Sequence, residues 1–214
     1  MEKNKTRRIY AIGEIVFDIM FKNGQPVAAR PGGSMLNSSI SLGRSGLPVN
    51  FIGTCGNDKT GDLISAFLEE NHVGRAFLHR ENSKSIIALA FLDENNNASY
   101  DFYKGGDTGE MPELPSPGEQ DIILFGSFYS ISTPTRDTVI RLKKLSTDNG
   151  ALLFYDPNFR DSHLRALHEV KPFIEANIMH SQIVRGSNED FEIIFGTKSA
   201  EETWNLPCFR NCKA

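Results

Sequence analysis

The sequence predicts an α/β protein, a mostly parallel sheet covered by helices on both faces (three layers, α/β/α), with a small β-sheet inserted. Three observations carry this. Short apolar runs such as IYAIG at 9–13 and DIILFG at 121–126 read as strands buried on both faces. They alternate with segments whose apolar residues recur at helical spacing. Two hairpin patterns interrupt the alternation.

In chain order, residues 9–13 form the first strand. Asn23-Gly24, between the apolar stretches 15–21 and 26–29, is a tight hairpin signal. Residues 34–45 read as a helix stopped by Gly46 and Pro48. A strand at 49–55 precedes an amphipathic helix at 60–71, with Leu63, Ile64, Phe67 and Leu68 on one face. A second hairpin pairs 85–92 with 98–104 around the polar tip 93–97. A strand at 121–126 then leads to a helix at 135–147 carrying Val139, Ile140, Leu142 and Leu145. A strand at 151–155, a helix at 164–177, a strand at 181–184 and a helix from 188 to 195 complete the pattern. The tail 204–214 continues no such rhythm. The two hairpins read as one small sheet, either a lid over a ligand crevice or decorative edge strands.

The 214 residues are 39% hydrophobic and 23% charged, an ordinary globular composition. A net charge of −4 gives no basic footprint and argues against nucleic acid as a partner. Cys55, Cys208 and Cys212 form no disulfide framework and no zinc-ligand spacing. The first residues lack a signal-peptide apolar region, and no run approaches the ~18 apolar residues of a membrane span. No membrane association and a cytoplasmic location are the expectation.

Four segments carry chemistry. Residues 31–37, Pro-Gly-Gly-Ser-Met-Leu-Asn, lead two glycines into a helix start. Glycine lets the backbone approach a ligand, and Asn37 adds an amide that donates and accepts. Asp18 lies just past the end of the first strand, where open α/β sheets bind ligands. Asp156-Pro157-Asn158-Phe159-Arg160 follows another apolar strand and sets a carboxylate, an amide and a guanidinium at its end. Arg185-Gly186-Ser187-Asn188-Glu189-Asp190 offers acids at a helix start, as dipole complements or as groups that order magnesium through water. The chain has no phosphate loop of the GxxxxGK[ST] type, no GxGxxG after the first strand, no GxSxG and no HExxH.

In this order, the Gly13-Glu14…Asp18 start, the Gly32–Asn37 element, the paired hairpins and the Asp156–Arg160 segment resemble the ribokinase-like (PfkB) carbohydrate kinases. The likeness runs over about residues 8–200 and is nearest to the fructokinase and keto-sugar-acid kinase branches. It implies a Rossmann-like, ribokinase-like fold, with 1–214 forming the N-terminal two-thirds of one kinase domain and lid segments at about 15–30 and 85–104. It implies ATP-dependent phosphorylation of a fructose-like sugar, with Mg2+ as cofactor and a possible homodimer through the lid. Asp18, Gly32, Gly33 and Asn37 would bind the sugar, with Asn158 and Arg160 near the sugar or the transferred phosphate. Asp156, Ser187 and Asp190 would lie near phosphate and magnesium. Ser187 and Asp190 match the family's Asn-x-x-Glu element; the other register, Asn188 with Phe191, loses the acid. Met35 replaces the family's usual small residue.

The family's Gly-Ala-Gly-Asp element, with its catalytic base and anion hole, has no match here and is expected beyond Ala214. This reads as a truncated kinase with an uncovered sheet edge, little activity and a tendency to associate. A non-catalytic sugar- or partner-binding remnant and a nucleoside kinase of the same fold are the alternatives.

Overall fold

The computed structural model describes residues 7–105, 112–159, 164 and 166–214. In chain order the elements are β1 (Ile9–Ile12), β2 (Val16–Lys22), β3 (Gln25–Gly32), α1 (Ser34–Arg44), β4 (Val49–Gly56), α2 (Lys59–Glu70), β5 (Gly74–Glu81), β6 (Ile87–Leu92), β7 (Ala98–Tyr103), β8 (Ile122–Gly126), α3 (Thr133–Asp148), β9 (Leu152–Asp156), α4 (Leu167–Met179), β10 (Ile183–Val184), α5 (Asn188–Phe195) and α6 (Ala200–Trp204). They divide into two compact units, one of residues 1–13 with 114–214 and one of residues 14–113.

In the first unit, β10, β9, β8 and β1 lie side by side in that order, all parallel. Their apolar sequences follow from burial: Tyr10, Ala11, Ile12, Ile123, Phe125, Leu153 and Tyr155 are almost wholly enclosed. Helix α3 buries Thr138, Val139, Leu142, Lys143 and Ser146. The stripe is therefore rotated from the expected one, and Ile140 and Leu145 stay exposed on its flanks.

The tail departs furthest from expectation. After α6, Cys208 and Phe209 are buried, and the Phe209 ring meets Phe191 edge-on at 5.7 Å and Phe195 at 6.3 Å. The backbone then pairs with the outer side of β10: Lys213 N–H donates to the Gln182 carbonyl at 2.7 Å, and Val184 N–H to the Ala214 carbonyl at 2.9 Å. This satisfies backbone groups that an edge strand otherwise leaves open, so that edge is not uncovered as the sequence suggested.

In the second unit, β4 and β5 form a parallel pair flanked by α1 and α2. Ile64 and Leu68 of α2 are buried, whereas Leu63 is exposed. A separate four-stranded sheet runs β3-β2-β6-β7. Asn23 and Gly24 both take positive φ, the geometry of a tight hairpin turn, and link β2 to β3. β6 and β7 form the second antiparallel hairpin, and a parallel β2–β6 pairing joins the two.

Candidate functional site

In the second unit the glycine pair sits where β3 runs into α1. Gly33 has φ +135°, and a Cβ there would strike the Glu14 carbonyl oxygen. Only glycine suits that backbone and that approach. A side chain at Gly32 would occupy the space of the Asp18 carboxylate. The bare backbone at 32 thus lets Asp18 lie against the glycine pair. Asp18 is half-buried, and burial pushes its carboxyl above the usual range, with Arg30 partly offsetting the shift. Among the described residues, no protein donor hydrogen-bonds to this carboxylate.

Asn37 lies one turn into α1, where its backbone N–H donates to the Gly33 carbonyl at 2.9 Å. Its exposed side-chain amide has no protein partner among the described residues. Met35, by contrast, is a core residue, 1% exposed. The Asp18 carboxylate thus lies against Gly32, and the Asn37 amide stands exposed one turn into α1, both without a protein hydrogen-bond partner among the described residues. Buried polar groups are nearly always paired, so an unpaired half-buried carboxylate points to a donor-rich ligand.

In the first unit, β9 ends at Asp156, which is 8% exposed. One of its oxygens accepts from the Arg185 guanidinium at 2.9 Å, and the other from Asn158 N–H at 3.2 Å. Burial raises its carboxyl pKa, which Arg185 opposes and Asp190 reinforces. Asn158 has φ +38°, uncommon for a non-glycine residue, and its side chain is unpartnered among the described residues. Arg160 lies outside the described residues.

Ser187 and Asp190 form a reciprocal capping box at the start of α5. The Asp190 carboxylate accepts Ser187 N–H at 2.7 Å, Ser187 O–H at 2.8 Å and Phe159 N–H at 2.7 Å. Among the described residues, no three His, Cys, Asp or Glu side chains gather to hold a metal. Asp190 is committed to the fold and Asp156 to Arg185.

Sequence reasoning missed Asp58, which caps α2 by accepting Gly61 N–H at 2.8 Å. The same carboxylate accepts Ser85 N–H at 2.9 Å and Ser85 O–H at 2.8 Å, pinning the chain just before β6. Burial works against its charge, but these hydrogen bonds hold the carboxyl below the usual range. The signal was an Asp directly before a helical segment, a common N-cap.

A carbohydrate kinase family profile, the pfkB family, matches residues 7–206. The chain is 25% identical over 178 residues to fructokinase-1 of Zea mays, covering 80% of this chain and 55% of that enzyme. It is 22% identical to a 5-dehydro-2-deoxygluconokinase of Clostridium perfringens over 80% of this chain and 53% of that one. The chain thus spans about half the length of these relatives. The fold is that of a Vibrio cholerae O395 fructokinase solved with fructose, ADP and a calcium ion, with a TM-score of 0.80 at 20% identity over 93% of this chain and 66% of that one. With a profile match over nearly its whole length, this chain belongs to the pfkB family of carbohydrate kinases.

Proposed function

We propose that this chain carries the sugar-binding part of an ATP-dependent kinase that phosphorylates a hydroxyl of a fructose-like sugar. The observation that carries this reading is the half-buried Asp18 carboxylate, unpartnered among the described residues and lying against Gly32 and Gly33. Asp18 accepts hydrogen bonds from sugar hydroxyls, Asn37 donates and accepts, and the glycines let the ring approach the backbone. The Vibrio relative's fructose and ADP support both substrates.

By the family resemblance, Asn158 and Arg160 serve in binding the sugar or the transferred phosphate, Arg160 lying outside the described residues. Magnesium, when bound with the nucleotide, would neutralise phosphate charge, and Asp156 and Asp190 would add negative charge near it without ligating it directly. Ser187 acts through Asp190, which it holds in place. The four-stranded sheet of 16–32 and 87–103 is the lid, and its closure excludes water from the transfer. Exposed Phe91 and Tyr103 on this sheet support a homodimer through it. ATP as phosphoryl donor fits a cytoplasmic location, and among the described residues no helix is long and apolar enough to cross a membrane.

Calorimetric titration of the chain with fructose, ribose and adenosine, each with and without a non-hydrolysable ATP analogue, tests this reading. Saturable fructose binding, stronger than that of ribose and adenosine, is expected. Preference for adenosine, or no binding of any of the three, would overturn it.

A further inference from the structure

Ser85 is buried and lies just ahead of β6. Its N–H donates to Asp58 Oδ2 at 2.9 Å, and its hydroxyl donates to Asp58 Oδ1 at 2.8 Å. The same hydroxyl accepts Gly56 N–H at 3.0 Å. Asp58 is held in turn. Its Oδ1 also accepts Gly61 N–H at the start of α2, and Arg80 on β5 donates to the Gly56 and Asp58 carbonyls at 3.1 and 3.3 Å. The ends of β4 and β5 and the start of α2 thus converge on one serine. Capping α2 needs only one acceptor, which Ser, Thr or Asn would supply. Asp58 uses both oxygens, and the second serves Ser85 alone.

The residue after Ser85 already belongs to the four-stranded sheet. The Ile86 carbonyl accepts Phe17 N–H at 2.9 Å, and the ladder continues with Phe17 opposite Ile87 and Asp18 opposite Ala88. Asp18 is therefore the residue next to the bond where β2 meets the chain leaving Ser85. A short path runs from the Asp58 carboxylate through Ser85 N–H, the Ile86 carbonyl and Phe17 N–H to the Asp18 backbone. The place of a strand at its first bond is carried along the ladder, because register decides where each side chain points. The Asp18 carboxylate has little latitude, since it fills the space that a Cβ on Gly32 would take. Hydrogen bonds weaken steeply as their angles close, so an acceptor works only where its support keeps it aimed.

We propose that Asp58, acting through Ser85, is a positioning residue for sugar binding: it fixes the point where β6 joins β2 and so keeps the Asp18 carboxylate aimed at its ligand. The proposal rests on Asp18 binding the sugar and assigns part of that affinity to the Asp58–Ser85 pair.

Fructose titrations by calorimetry test it, using the wild-type chain, Ser85→Ala, Asp58→Asn, Asp18→Asn and each latch variant combined with Asp18→Asn. Ser85→Ala leaves the cap of α2 whole. Asp58→Asn keeps an oxygen for Gly61 N–H and turns an NH2 group towards Ser85 N–H. Each latch variant should weaken fructose binding by roughly fivefold or more, but by less than about twofold when added to Asp18→Asn, where no carboxylate is left to position. Thermal melts identify folded variants, and either latch variant alone completes the cycle. A folded latch variant with unchanged fructose affinity, or the same fold-loss with and without the Asp18 carboxylate, overturns the positioning role and leaves sugar binding standing. No fructose binding by the wild-type chain, or Asp18→Asn binding as tightly as wild type, overturns both.

Discussion

The Asp190 carboxylate, at the third position of α5, accepts the backbone N–H of Phe159 at 2.7 Å and so ties the start of that helix to the turn that follows β9. One buried side chain thereby fixes both segments of the expected phosphate-proximal corner. Replacing Asp190 with Ala removes the capping box and leaves the Phe159 N–H unpaired. The capping loss costs about 1 kcal/mol. The buried donor adds roughly 1–3 kcal/mol. Ser187→Ala loses only part of the cap, about 1 kcal/mol. Urea denaturation should rank Asp190→Ala clearly below Ser187→Ala, and equal losses would show that the bond to Phe159 contributes nothing.

The two glycines should separate fold from binding. Gly33→Ala forces an L-residue to φ +135° against the Glu14 carbonyl, and should cost about 2 kcal/mol or more. Gly32→Ala meets the Asp18 carboxylate, the end of a side chain that swings aside. It should melt close to wild type while weakening sugar binding at least tenfold. Melting curves and titrations of the two variants check this, and the reverse pattern would contradict it.

Lys143 makes stability depend on pH. Its ammonium is buried over the Phe125 ring at 5.5 Å and donates to Asn177 Oδ1 at 3.0 Å, an oxygen that Arg136 also uses at 2.8 Å. Burial first, and then the Arg136 charge, push its pKa down from 10.5 to about 7. Between about pH 7 and 10.5 the unfolded chain holds a proton that the folded chain lacks, so this group's contribution to stability rises with pH. Below pH 7 both states are charged and the full cost of the buried cation applies. Lys143→Met should therefore stabilise the protein by roughly 1–3 kcal/mol at pH 6, with the gain shrinking towards pH 10. Denaturation midpoints at pH 6, 8 and 10 report it; a gain that does not change with pH would contradict it.

The tail contacts predict a change of association state. Removing 207–214 uncovers Phe191 and Phe195 and frees the outer side of β10. Light scattering should show the shortened chain forming larger species than the 214-residue chain at the same concentration. Identical scattering from both would mean that the tail does not protect this edge.

Much of the fold was legible because its rules are local. Residues 9–12 and 122–126 are apolar throughout because both faces are covered, and Asn23-Gly24 gives the hairpin because both residues tolerate positive φ. Strand β5 was not legible: Gly74–Glu81 mixes charged and apolar residues with no clean alternation. Periodicity gave α2 and α3 an apolar stripe without fixing which flank is buried, so Leu63, Ile140 and Leu145 were misplaced and Lys143 was missed. The parallel β2–β6 pairing depends on contacts between residues some seventy positions apart, as at Phe17 and Ile87. In the candidate site, Asp18, Gly32, Gly33 and Asn37 stood out by residue type and position. The capping role of Asp190 and the latch made by Asp58 emerge only from the folded chain.

Paired fructose titrations and thermal melts of the wild-type chain and Asp18→Asn at pH 7 test the sugar-binding role of Asp18 most directly. Burial raises the Asp18 carboxyl pKa, so the folded state favours its proton. Below the unfolded pKa both states are protonated and nothing is lost; as pH rises above it, the buried charge imposes a growing cost on the folded state. Asn at this position removes that cost and removes the charged acceptor, worth about 1.5–3 kcal/mol to a bound hydroxyl. Asp18→Asn should melt at or above the wild-type temperature while fructose affinity falls roughly 10- to 100-fold. Unchanged fructose affinity in a stably folded Asp18→Asn would contradict the assignment of this residue as the sugar's anchor.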